Sequence, residues 1–230
     1  MKIIINIVLR STATYYSAIY RNFKAIETEP YSQRAVIRFY EAHESKIYNL
    51  EAHESFEMVV AYNESLFDIG AYAKHLIMCD EVIRIAMQEN IYEFGGVDIY
   101  THTLFCKAQS FFHLLEFEQA IFILKKLIKI APQNKDYASW LKQSYLKQQP
   151  PYLKRFKAIF IFTNLAIAFV IAAQIMVISV FFPALEVWSD IVRNSLIAIA
   201  IVSYTFPFVL HGQQSRKKVE KTVDLAKNKN

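Results

Sequence analysis

From Ala158 to Phe182 the chain runs 25 residues without a charged side chain, and no other feature restricts its fold so strongly. As an α-helix this stretch would extend about 37 Å at roughly 1.5 Å per residue, enough to cross a hydrocarbon layer of about 30 Å with some tilt. A buried helix of a water-soluble domain would be shorter and would keep a polar face. Here the polar residues are Thr163, Asn164, Gln174 and Ser179, and they are scattered. A second apolar run, Ile191–Leu210, is interrupted only by Arg193 near its start, where a long basic side chain reaches the interface. Pro207 lies near its far end, where a bend is tolerated. Between the runs, Pro183–Asp190 contains Glu186, Trp188 and Asp190 and reads as a tight acidic turn with an interfacial aromatic. The sequence thus predicts an antiparallel transmembrane hairpin over 151–212, with spans at about 158–182 and 191–210, and a basic tail over 213–230.

Charge locates the hairpin. Residues 1–150 carry 16 Lys and Arg against 17 Asp and Glu, whereas residues 151–230 carry 10 against 4. The basic excess therefore flanks the apolar runs: Lys154, Arg155 and Lys157 before the first, and Arg216, Lys217, Lys218 and Lys221 after the second. Basic flanks stay on the cytoplasmic side and meet anionic headgroups. The expected arrangement is an integral membrane protein with N-terminal domain and C-terminus both cytoplasmic, in the inner (plasma) membrane if the source is bacterial. A nucleic-acid binder would show its surplus on the folded domain, so no nucleic-acid partner is expected. In the first span Ala168 and Ala172 lie one turn apart, with Ala166 and Ala173 nearby, a small-residue face for the second span or for another copy of the chain. Gln174 and Asn164 are expected to hydrogen-bond across helices, the alternative being that they line a polar path.

The first 150 residues read as a helical domain. The whole chain has 4 glycines and 6 prolines, too few turn residues for a β-rich fold. Lys2 and Ile3–Leu9 fit the apolar face of a first helix better than a signal peptide. From Thr101 to Asn134, Leu104, Ala108 and Phe111 mark one helix, and Ala120, Leu124 and Leu127 a second that Pro132 ends. This 34-residue spacing resembles the tetratricopeptide repeat, a helix–turn–helix unit. A second unit fits Phe56–Glu89, with Tyr62, Asn63 and Leu66, a Gly70-Ala71-Tyr72 turn, then His75, Cys79 and Val82; Asn63 and His75 stand where the family has small residues. An insertion containing Gly95-Gly96 stretches the spacing to 45. A weaker unit covers Tyr16–Asn49, with Ala35, Phe39 and Ala42 on its second helix, and Asp136–Gln148 would cap the stack. The fold expected is all-α: a tetratricopeptide-like solenoid of helix pairs followed by the hairpin.

The resemblance implies a concave groove made by the first helix of each pair. His102, Phe105, Gln109, Phe112 and His113 would line it in the best unit, and Glu57, Val60, Glu64, Phe67 and Asp68 in the preceding one. The competing reading for Phe105 and Phe112 is packing against a neighbouring helix. Family members that clamp a C-terminal carboxylate use Lys and Asn there, and this chain lacks them. The aromatic and acidic lining suits an apolar or basic segment of another protein.

Residues that suggest catalysis fit structural roles. Glu41-Ala42-His43-Glu44-Ser45 recurs as Glu51-Ala52-His53-Glu54-Ser55, but ten residues separate the histidines, whereas helical metal sites use spacings of three or four. The first copy would close one helix and the second begin the next. Cys79 and Cys106 form neither a disulfide framework nor a metal quartet and read as small buried hydrophobes. There is no phosphate-cradling loop or nucleophile elbow. The expectation is a non-enzyme with no catalytic residues, metal or cofactor. It would be a membrane-anchored adaptor or scaffold holding a partner protein at the cytoplasmic face. The alternative is a subunit of an oligomeric membrane complex or channel, built by the hairpin as a homo-oligomer and gated by the helical domain.

Overall fold

The computed structural model describes residues 17–148, 150–178 and 186–228, among which are nine α-helices and one two-stranded hairpin. The chain divides into two compact units, Met1–Ile130 and Ala131–Asn230.

In the first unit the helices are α1 (Ala18–Glu27), α2 (Gln33–Ile47), α3 (Ala52–Asp68), α4 (Tyr72–Gln88), α5 (Ile99–His113) and α6 (Phe117–Ile130). Each packs on the next in a succession of helix pairs. Helix α1 starts where the Ser17 hydroxyl accepts the Tyr20 amide at 3.1 Å, and it buries Tyr20 and Phe23 one turn apart. Helix α3 is central. Phe56, Met58, Val59 and Leu66 are almost fully enclosed, each contributing on the order of 1.5–3 kcal/mol of burial.

The two best helix pairs share one internal turn. After α3, Ala71 N–H donates to Leu66 O at 2.9 Å and Gly70 N–H to Phe67 O at 3.0 Å. After α5, Glu116 N–H donates to Phe111 O at 2.9 Å and Leu115 N–H to Phe112 O at 3.1 Å. Both are Schellman caps with a left-handed residue, Gly70 at φ 78° and Leu115 at φ 64°. These positions are 45 residues apart, the spacing expected from the sequence, and the intervening β1 (Glu93–Phe94) and β2 (Val97–Asp98) account for the insertion. Phe94 pins that hairpin by packing edge-on against Phe56 at 5.5 Å, and the Asp98 carboxylate caps α5 through the Thr101 amide at 2.6 Å.

The first pair uses a different face from the one expected. Val36, Ile37, Tyr40 and Ile47 are the buried residues of α2, while Ala35 and Phe39 are half-buried and Ala42 is exposed. Large side chains win that interface: the Tyr40 ring stacks on Tyr62 of α3 at 4.1 Å. The helix expected near residues 3–9 lies outside the described residues, as does Tyr16 at the start of the weakest unit.

The second unit holds α7 (Lys135–Lys147), α8 (Pro151–Ala173) with a π-helical turn Gln174–Ile178, and α9 (Glu186–Lys227). Asn134 caps α7 by accepting the Asp136 amide at 2.9 Å, and Pro151 opens α8, where its missing N–H costs nothing. Helices α8 and α9 are long and apolar enough to cross a membrane. Helix α8 packs along α9, and its half-buried stripe is Thr163, Ala166, Ile167, Val170 and Ala173. Ala168 and Ala172 are exposed, so the small-residue seam within the chain is Ala166 and Ala173.

Helix α9 exceeds expectation at both ends. Its 42 residues would extend about 63 Å, twice a hydrocarbon core. Glu186–Asp190, expected as part of a turn, form its first residues, and the rest of that turn, 183–185, lies outside the described residues. At the other end the basic tail continues the helix to Lys227 and buries Ser215, Val219 and Ala226. Helix α7, expected to cap the repeat stack, packs on α9 through a face that buries Tyr137, Leu141, Ser144 and Tyr145.

Candidate partner-binding cavity

Helices α3, α4 and α5 enclose a cavity of about 260 Å³. Val60, Phe67, Val82 and Ile99 form apolar walls, and Glu64, Asp68 and His102 contribute charge and polarity. Five of the expected groove residues therefore converge here: Val60, Glu64, Phe67, Asp68 and His102. The others on α5 stand apart from it. Phe112 packs edge-on against Phe117 at 5.4 Å, and His113 stacks on Tyr72 at 4.5 Å. Phe105 and Gln109 are half-buried and do not line the cavity.

The two residues that depart from the repeat pattern face this space. Asn63 is 5% exposed and His75 is 1% exposed, and both line the cavity. His75 Nδ1 lies 2.8 Å from Ser110 Oγ on α5, its ring is 3.4 Å from Cys79 Sγ, and Cys79 in turn meets Asn63 Oδ1 at 3.8 Å. Larger polar residues at small-residue positions thus tie three helices together instead of letting two approach closely. Burial lowers the His75 pKa to about 4, so the imidazole is neutral at pH 7. Burial also raises the Cys79 thiol to about 12, helped by Cys106, so it is no thiolate nucleophile at neutral pH.

Cys106 lines the cavity as well, its Sγ 3.7 Å from His102 Nε2. Burial pushes this thiol to about 11, and the charges of Glu64 and Asp68 add to the effect. The sequence carries a signal for this pairing: His75–Cys79 and His102–Cys106 are each four apart, so each pair shares one helix face. Both cysteines had been expected only as small hydrophobes. Among the described residues no group of three or more His, Cys, Asp or Glu is arranged to hold a metal ion.

Glu64 and Asp68 form an acidic rim on the last turn of α3, where the helix dipole already places negative potential. Desolvation raises the Glu64 pKa, His102 opposes this from 4.0 Å, and the charges of Asp68 and Glu27 add to the rise. The Glu64 side chain remains 59% exposed, so water holds it as a carboxylate at pH 7. Among the described residues neither acid pairs with a lysine or arginine.

The remaining sequence candidates fall elsewhere. His43 Nδ1 lies 2.9 Å from Phe39 O near the end of α2, while His53 is exposed in the first turn of α3. Lys154, Arg155 and Lys157 fall early in α8. Arg216 pairs with Glu220 at 3.0 Å, Lys217 is exposed, and Lys218 lies over the Tyr145 ring at 5.3 Å. Gln174 does hydrogen-bond across helices: it donates to Asp190 Oδ1 at 2.9 Å and accepts from Arg193 at 3.0 Å. Asn164 instead donates to Phe160 O within its own helix at 2.7 Å. No protein-family model, curated protein or solved structure matches this chain.

Proposed function

We propose that this protein is a membrane-anchored adaptor: α8 and α9 fix it in a bilayer, and its tetratricopeptide-like helix pairs bind a partner protein at the cytoplasmic face. The observation that carries this reading is the cavity between α3, α4 and α5, which joins apolar walls to two exposed acids that, among the described residues, pair with no lysine or arginine. The anchor is supported by the surface of α8 and α9. Phe162, Phe169, Phe206 and Phe208 are all exposed, a surface that is stable in hydrocarbon and aggregates in water. Basic residues at the start of α8 and the end of α9 favour placing both on the cytoplasmic side. Confinement to one surface raises the effective concentration of adaptor and partner. The test is purification of the full chain in mild detergent beside a Phe67→Ala, Glu64→Lys variant. Proteins retained by the parent and lost by the folded variant support the reading; identical retention by both overturns it.

One observation favours a second reading, an oligomeric complex or channel. Ala168 and Ala172 lie on an exposed face of α8, where small residues permit close approach of another copy. Sealed liposomes and a monomeric particle would end it.

A further inference from the structure

The cavity lining carries polar groups that have no hydrogen-bond partner within the fold. Asn63 and Thr103 are 5% and 2% exposed, and both line the space. The Asn63 carbonyl oxygen meets Cys79, but its amide nitrogen makes no hydrogen bond among the described residues, and neither does the Thr103 hydroxyl. Both atoms keep a residual contact with water through the cavity, so a group that displaced that water would have to hydrogen-bond in its place. Phe67, Val60 and Val82 give the same space apolar walls, and Glu64 and Asp68 are its exposed acidic members. The lining thus combines neutral polar groups, apolar walls and two solvent-exposed acids.

We propose that this cavity receives a tyrosine side chain of the partner polypeptide, with an arginine or lysine next to it in sequence seated on Glu64 and Asp68; the proposal rests on the adaptor reading. Each part of the lining selects one feature. A phenol both donates and accepts, so one oxygen can satisfy the Asn63 amide and the Thr103 hydroxyl together. Its ring fills the apolar section, where Phe67 offers an aromatic contact. A volume of about 260 Å³ is enough to hold an aromatic side chain. Phenylalanine would fit the walls, displace water and leave Asn63 and Thr103 without a partner, the kind of mismatch that polar pockets reject most strongly. An ammonium or guanidinium inserted beside Asn63 and Thr103 would lose its hydration where neither residue offers a carboxylate, so the cation belongs on the exposed acids. There it relieves the repulsion between two acids four residues apart on one helix.

The test uses the full chain in detergent and four short acetylated, amidated peptides: one with Arg-Tyr at its centre, and versions with Phe for Tyr, citrulline for Arg, or both. Binding is read by calorimetry and by the imidazole signals of His75 and His102. The expected result is tightest binding of Arg-Tyr, at least tenfold weaker binding with Phe, and weakening with citrulline that vanishes at high salt. In Thr103→Val, checked for native circular dichroism, the preference for Tyr over Phe should shrink several-fold. Equal binding of Tyr and Phe peptides, or no binding of either, overturns the proposal, and both outcomes come from the unmodified protein. The adaptor reading fails separately, through identical copurification by parent and Phe67→Ala, Glu64→Lys variant.

Discussion

His75 of α4 and Ser110 of α5 meet at 2.8 Å inside a shell that leaves the histidine 1% exposed and the serine 0%. A histidine so placed is a stability sensor. Unfolded, it takes a proton near its ordinary value of 6.5, whereas folded it waits until about 4. Between these values the unfolded state holds more protons, so stability rises with pH across that window and is fully present above 6.5. The size is on the order of 3 kcal/mol. Denaturant unfolding of the first unit, followed from pH 4 to 7, should show this slope, and His75→Phe should flatten it. An unchanged slope in the variant would remove the assignment.

Gly70 and Leu115 occupy the same left-handed position in two equivalent caps, yet only one is glycine. A β-carbon in that conformation costs about 1 kcal/mol. Leu115 is 73% exposed, so its side chain contributes little packing in return. Leu115→Gly should therefore stabilise by up to about 1 kcal/mol, a rise of a few degrees in Tm. Gly70→Ala should lose a similar amount through the backbone alone, since the added β-carbon would come no closer than 3.8 Å to Tyr72. A fall in Tm for Leu115→Gly would contradict this.

What could be read from the sequence tracks how local each signal is. Ala108, Ala120, Leu124 and Leu127 were legible because the periodicity of one helix pair determines which face turns inward, and all four are buried. Helix α2 was misjudged: Ala35, Phe39 and Ala42 follow the family spacing, but Tyr40 gains more by stacking on Tyr62, a choice made by another helix. The helical continuation past residue 210 was missed for a related reason. Arg216, Lys217 and Lys218 read as a solvated tail, and the spacing of Ser215, Val219 and Ala226 gains meaning only once α7 is there to cover it. At the cavity, Val60, Glu64, Phe67, Asp68 and His102 followed from repeat register. Thr103 and Cys106 did not, because their importance depends on how α5 meets α4.

Gln174, Asp190 and Arg193 form a closed polar triangle, with Arg193 also 3.0 Å from Asp190. Gln174→Leu removes one corner and leaves the ion pair intact, so the cost should be about 1 kcal/mol, typical of an interhelical hydrogen bond in lipid. Asp190→Ala should cost more, because Arg193 then loses its counter-charge. Unfolding of the detergent-solubilised chain by denaturing detergent ranks the two, and the reverse order would exclude the triangle as a latch.

Val219 and Ser215 attach the extension of α9, and both are almost fully enclosed at 8% and 2% exposure. A charge at Val219 has no basic partner held inside that seam, so Val219→Asp should cost about 2–3 kcal/mol locally and detach the extension from α7. Lys217→Ala, on the exposed side, should change stability by less than about 0.5 kcal/mol. Hydrogen exchange discriminates the outcomes. In Val219→Asp, amides over 212–227 and 137–145 should lose protection together, while those of α3 and α4 keep theirs. If 137–145 stay protected when the extension frays, then α7 is stabilised by something other than this seam.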